Sequence, residues 1–177
     1  RRAVRNLLFY LACQPDADRA SLINLFWPEV NDDYARRQFR FTLGKLRSSL
    51  PDHSLVIKSG DRWRLDESRV WVDVREFRAL AEQYLHPALQ ISNQRPLPEA
   101  LAQHLRRAAK LWSAEQFWPG ADFYGQSELE GWLRDLRQEM EYAHLRILER
   151  LAYNAAANGD HELALMRARR ALQLDPF

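Results

Sequence analysis

The sequence predicts a mainly helical chain in two parts, with one β-hairpin in the first part. Three observations carry this. Apolar residues recur at helical spacing in segment after segment of the 177 residues. Period-two alternation marks the stretch "LVIKSGDRWRL", Leu55 to Leu65. Charge changes sign along the chain: Arg1 to Leu65 holds 12 Lys and Arg against 7 Asp and Glu, a net +5, and Asp66 to Phe177 holds 14 against 17, a net −3. The net charge of +2 for the whole chain hides this asymmetry, which directs a polyanionic partner to the first part. We place the boundary at 69/70, giving domains 1–69 and 70–177.

"RRAVRNLLFYLACQP" puts Val4, Leu7, Leu8 and Leu11 on one side of a first helix, which Pro15 ends. "DADRASLINLFWPE" supplies Asp16 or Asp18 as N-cap, Leu22, Leu25 and Phe26 as the apolar set of a short second helix, and Pro28 as its stop. After the polar connector "EVNDD", the stretch "YARRQFRFTLGKLRSSL" predicts a third helix. Phe39, Leu43, Leu46 and Leu50 form its buried stripe. At about 100° per residue the far side carries Arg37, Phe41, Gly44, Lys45 and Ser48, with Arg40 and Arg47 near its flanks. No carboxylate occurs between Tyr34 and Leu50, while Arg36, Arg37, Arg40, Lys45 and Arg47 do, so the exposed face is basic and shows an aromatic ring.

In the hairpin, Leu55 and Ile57 alternate with Val56 and Lys58, and Trp63 and Leu65 with Arg62 and Arg64, across a Ser-Gly-Asp turn. The expectation is one apolar face and one basic face. Three helices and then a hairpin, with positive charge on the third helix and on the hairpin, is the plan of a winged-helix DNA-binding domain. The third helix would enter the major groove, where cationic side chains reach phosphates and guanine acceptors and Phe41 meets a thymine methyl. Lys58, Arg62 and Arg64 of the wing would meet the adjacent backbone or minor groove.

Taken together, "LLFYLACQP", "LINLFWPE", "ARRQFRFTLGKLRSSL", "GDRWRLD" and "VWVDVREFRAL" resemble the antibiotic regulatory protein (SARP) group of bacterial transcription activators. The resemblance implies that Arg37, Thr42, Lys45 and Arg47, with the basic wing, face DNA. It also implies a bacterial transcriptional activator domain after the winged helix and direct-repeat half-sites, with palindromes as the alternative; a cytoplasmic location is expected instead from the lone Cys13 and the lack of an export signal. Such domains usually open with β-strands ahead of the first helix, whereas this chain opens on the helix itself.

Beyond the boundary, Asp73 is a candidate N-cap for a helix holding Phe77, Leu80 and Ala81, and "HPALQISNQRPLP" reads as a linker. "EALAQHLRRAAKLW" and the long run from "ELEGWLRDL" to "NAAANG" read as helices, and "FWPGADFYGQ" as an aromatic loop and a candidate contact surface. Small residues at Ala152, Ala164, Ala168 and Ala171 around a turn at Asn158 to Asp160 resemble one tetratricopeptide helix pair. Leu163, Met166 and Leu174 project from another side of the last helix, from which we expect the protein to continue past Phe177.

Catalytic and metal signatures are not found. The five histidines lack ligand spacing, Gly44-Lys45 lacks the rest of a phosphate loop, and no nucleophile elbow occurs. No enzyme activity, cofactor or metal is expected. Trp112, Trp118 and Trp132 read as core, and Cys13 as a buried thiol in a reducing compartment. No signal peptide or membrane-length apolar run occurs. The expected partners are double-stranded promoter DNA, RNA polymerase and a second protomer on DNA. The alternative is a protein-interaction module that does not bind DNA.

Overall fold

The computed structural model describes residues 2–14, 16–85, 96–112, 117, 123 and 127–174. Among these the chain is mainly helical, with seven α-helices and a small three-stranded antiparallel sheet. The order is α1 (Arg2–Cys13), β1 (Ala17–Asp18), α2 (Arg19–Phe26), α3 (Asp32–Ser49), a 3-10 turn (His53–Leu55), β2 (Val56–Ser59), β3 (Arg62–Leu65), α4 (Asp73–Leu85), α5 (Glu99–Leu111), α6 (Ser127–Ala157) and α7 (His161–Leu174). Two compact units result: Arg1–Val72 with Asp122–Leu133, and Asp73–Ala121 with Arg134–Phe177. No described helix is long and apolar enough to cross a membrane.

Local signals set the helix ends of the first unit. Asp18 is the N-cap of α2, its carboxylate accepting the Ser21 backbone N–H at 2.9 Å and the Ser21 hydroxyl at 2.6 Å. Asn31 caps α3 by accepting from the Tyr34 N–H at 2.9 Å. The helix therefore starts earlier than expected, inside the acidic connector. Asp32 and Asp33 occupy its first turn, where carboxylates complement the helix dipole.

The core of this unit is a chain of rings. Tyr10 meets Trp132 at 4.8 Å and Phe26 at 6.0 Å; Phe26 meets Trp27 at 5.6 Å; Trp27 meets Phe39 at 6.5 Å; and Phe39 meets Trp63 at 6.0 Å. Trp132 also meets Phe123 at 6.2 Å. Leu7, Leu11, Leu22, Leu46 and Val56 fill the space around these rings. Cys13 is a free, buried thiol.

The sheet has the order β1-β3-β2. The two-residue strand β1, which carries no period of its own, pairs Ala17 with Trp63 and Asp18 with Arg62. In the hairpin, Val56 pairs with Leu65, Ile57 with Arg64, Lys58 with Trp63 and Ser59 with Arg62. This register corrects the expected faces. Val56, Lys58, Trp63 and Leu65 share one side, while Ile57, Ser59, Arg62 and Arg64 share the other, so the hairpin's charges are split between its two faces. Gly60, at φ 58°, forms the two-residue connection together with Asp61.

In the second unit α4 packs on α5, and Phe77 and Ala81 of α4 and Ala102, Leu105 and Ala108 of α5 are buried. Asn154 of α6 accepts the buried Leu97 N–H at 2.7 Å. α6 ends in a Schellman arrangement. Gly159, at φ 81°, donates to the Ala156 carbonyl, and Asp160 donates to the Ala155 carbonyl. Asp160 then accepts from the Leu163 N–H at the start of α7. On α7 Ala171 is buried, while Leu165, Met166 and Leu172 are exposed; Leu163 and Leu174, expected to project, are half-buried. Trp112 stacks on His144, while Trp118 and most of the aromatic loop lie outside the described residues.

His144 makes a pH prediction possible. Burial, aided by the Arg170 charge, pushes its imidazole down to about 4. An unfolded histidine takes its proton near 6.5. Between these values the unfolded chain binds the extra proton, so this histidine's contribution to stability falls as pH drops from about 6.5 to 4, by about 3 kcal/mol in all. Urea unfolding of the wild-type chain and of His144→Phe across that interval should show the wild-type stability falling relative to that of the variant toward low pH. Parallel curves would mean that His144 is not held neutral.

Candidate nucleic-acid interface

α3 is laid down by its buried side: Ala35, Phe39, Thr42, Leu43 and Leu46 are all buried. Phe39 anchors the helix between Trp27 and Trp63. The opposite side is thereby turned outward. Arg36, Arg37, Arg40, Phe41, Gly44, Lys45 and Ser48 are exposed, and Phe41 is the most exposed large apolar side chain of the first unit after Trp71, at 63% against 67%. The Lys45 ammonium lies 5.7 Å from the Phe41 ring centroid. Ser48 donates its hydroxyl to the Gly44 carbonyl at 3.0 Å. Tyr34, 42% exposed, lies seven residues before Phe41 and so on the same stripe. It was not among the expected site residues, although the i, i+7 spacing was the signal that marked it.

The expected site residues do not all share this surface. Thr42 is withdrawn from it: at 3% exposure it belongs to the core. It stands about 60° from Phe39 around the helix, at the edge of the buried stripe, where a methyl-bearing side chain packs well. Arg36 pairs with Asp32 one turn earlier at 3.6 Å, both side chains being well exposed, so the pair contributes little energy but lowers the free charge.

Arg62 is ion-paired with Asp16, and that hydrogen-bonded carboxylate, with Asp18 nearby, raises its pKa further. Arg64 is half-buried on the same face of the sheet. Its charge helps to hold the Asp66 carboxyl below the usual range, after the larger effect of the Ser68 hydrogen bonds. Arg69 reaches Asp52 and Ser54, both at 2.7 Å, which pins the turn before β2.

Arg47 acts inside the unit. It donates to the Val56 carbonyl at 2.8 Å, and its guanidinium carbon sits 5.1 Å from the Trp63 ring centroid. Lys58 lies 5.7 Å from the same ring. Trp63 is thus clamped between a helix cation and a hairpin cation, and Lys58 lies on the Trp63 side of the sheet. Arg47→Met should cost about 1–3 kcal/mol, because the Val56 carbonyl loses a charged donor. If Arg47 holds the hairpin rather than a phosphate, the salt dependence of any DNA binding should keep its slope. Unfolding curves and a salt titration of the variant check both halves of this expectation.

Of the expected site cations, four are both exposed and without an ion pair among the described residues: Arg37, Arg40 and Lys45 on α3, and Lys58 on the hairpin. The three on α3, together with Phe41 and Ser48, form a surface of unneutralised donors around an apolar ring. Such a surface suits a flat, polyanionic ligand with both phosphate oxygens and base edges. Among the described residues, no three His, Cys, Asp or Glu side chains gather as a metal ion would require. Compared with protein-family models, curated proteins and solved structures, the chain matches none, so the reading of this surface rests on its own residues.

Proposed function

We propose that this chain is a DNA-binding transcription regulator whose first unit is a winged-helix domain that docks α3 in the major groove and the hairpin beside it. The observation that carries the reading is the outward face of α3, where Arg37, Arg40 and Lys45 stand without carboxylate partners around the exposed Phe41. The element order supports it: three helices, a short strand between the first two, and a hairpin that completes the sheet. Eighteen residues make α3 about 27 Å long, enough to lie along a groove about 12 Å wide.

Lys45 and Lys58 neutralise phosphates and set the register. Arg37 and Arg40 reach guanine acceptors, and Phe41 meets a thymine methyl. One such unit reads few base pairs, so two protomers on half-sites about one helical turn apart supply the specificity. The all-helical second unit then contacts RNA polymerase or the second protomer, as in a bacterial activator of the antibiotic regulatory type working in the cytoplasm.

A second reading, a protein-interaction module, has one observation in its favour: Leu165, Met166 and Leu172 lie exposed on α7. Titration of a fluorescently labelled duplex at several salt concentrations decides between them. The two phosphate contacts of Lys45 and Lys58 predict a log K against log salt slope of about −1.8. Absence of binding at low salt would remove the DNA-binding reading.

A further inference from the structure

Gly44 sits in the second half of α3, on its exposed side, three residues after Phe41 and four before Ser48. Only proline is a poorer helix former than glycine, and an exposed helix interior is where that disadvantage is felt in full. The reasons a protein usually has for a glycine are missing. Its φ is not positive, since Gly60 and Gly159 alone have that conformation among the described glycines. A Cβ built on Gly44 meets no atom within 4 Å beyond its adjacent residues and the backbone of its own helical turn, so nothing else in the protein presses on it. The helix runs on for five residues to Ser49, so Gly44 does not end it.

The side chains around Gly44 leave a notch. Ser48 is folded back by its hydrogen bond to the Gly44 carbonyl. Phe41 and Lys45 are drawn toward each other on one side, while Arg40 and Arg37 stand one and two turns before the glycine. The bare backbone therefore lies at the middle of the basic face, with larger side chains around it. A glycine that nothing inside the chain requires, at the centre of a surface shaped for an outside ligand, is explained by close approach of that ligand to the helix backbone.

We propose that Gly44 is the point of closest approach between α3 and duplex DNA, with base-pair edges on the floor of the groove seated against its Cα. This rests on the DNA-binding reading above. It makes Gly44 a specificity-determining position that acts by letting the helix sit deep enough for Arg37, Arg40 and Phe41 to reach the bases.

Stability and affinity should then respond in opposite directions. A duplex is first selected from a random-sequence pool with the wild-type chain. The wild type, Gly44→Ala and Gly44→Leu are next compared on that duplex, on a scrambled duplex at low salt, and by thermal unfolding. Gly44→Ala should raise Tm by roughly 2–4 °C. It should weaken the selected duplex by about tenfold or more, and Gly44→Leu further, as a side chain forced into a close contact does. Binding to the scrambled duplex should stay within about twofold, because phosphate contacts at the rim are retained.

Unchanged affinity of Gly44→Ala for the selected duplex, at a raised Tm, would overturn the proposal. So would a fall in both Tm and affinity, which would mean that the helix itself had been damaged. A wild-type chain that selects no duplex would instead remove the reading on which the proposal rests.

Discussion

Reversing the charge at Arg37 and Lys45 together, as Arg37→Glu with Lys45→Glu, is expected to weaken binding to duplex DNA by roughly 100- to 1000-fold at moderate salt. Both side chains are exposed, and neither has a carboxylate partner among the described residues. Each reversal turns an attraction toward the polyanionic duplex into a repulsion, worth on the order of 1 kcal/mol per unit charge in a well-solvated contact. One of the two phosphate-neutralising cations, Lys45, is also lost, so the salt slope should fall from about −1.8 to about −0.9. The fold should persist, since like charges at helical spacing cost only a few tenths of a kcal/mol. Circular dichroism checks the fold, and anisotropy at three salt concentrations gives the slope. Unaltered affinity in a folded variant would mean that the ligand lies elsewhere.

The largest effect on stability is expected at Phe39. Its ring is 2% exposed and stands 6.5 Å from Trp27 and 6.0 Å from Trp63, so it joins α3 both to the helices before it and to the sheet after it. Phe39→Ala should cost about 3–5 kcal/mol through lost burial and the cavity left behind, a large share of a total stability of roughly 5–15 kcal/mol. Because Trp27 and Trp63 are both its neighbours, tryptophan fluorescence in urea should report the change directly as a lowered midpoint. A midpoint within 0.5 M of the wild-type value would show that α3 is not held through this ring.

The helices of the first unit were legible because their ends are written locally. Asp18 and Asn31 cap, and Pro28 lies just after α2. The start of α3 was misplaced only because Asp32 and Asp33, polar enough to pass for a connector, also suit a helix N-terminus. The exposed side of α3 could be read from spacing alone, since nothing else in the chain competes for it.

What could not be read depends on contacts between distant residues. "LVI" puts three apolar residues in a row, so alternation is compatible with two registers, and pairing with Trp63 and Leu65 chose the one that buries Val56. The pairing of Arg62 with Asp16 spans 46 residues, and no local pattern announces it. Arg47 looked like any other cation on the flank of the helix. The hairpin beneath it, brought there by the fold, turned it into a structural clamp.

The most direct test of the account is a residue-by-residue map of the surface that duplex DNA touches. Backbone amide NMR spectra of the labelled chain, recorded during titration with a short duplex, supply it. The account predicts that the perturbed amides gather at residues 34–48 of α3 and around Lys58, with Gly44 among the most shifted and α7 undisturbed. Perturbation gathered on α7, or a spectrum unmoved by duplex DNA at low salt, would contradict it.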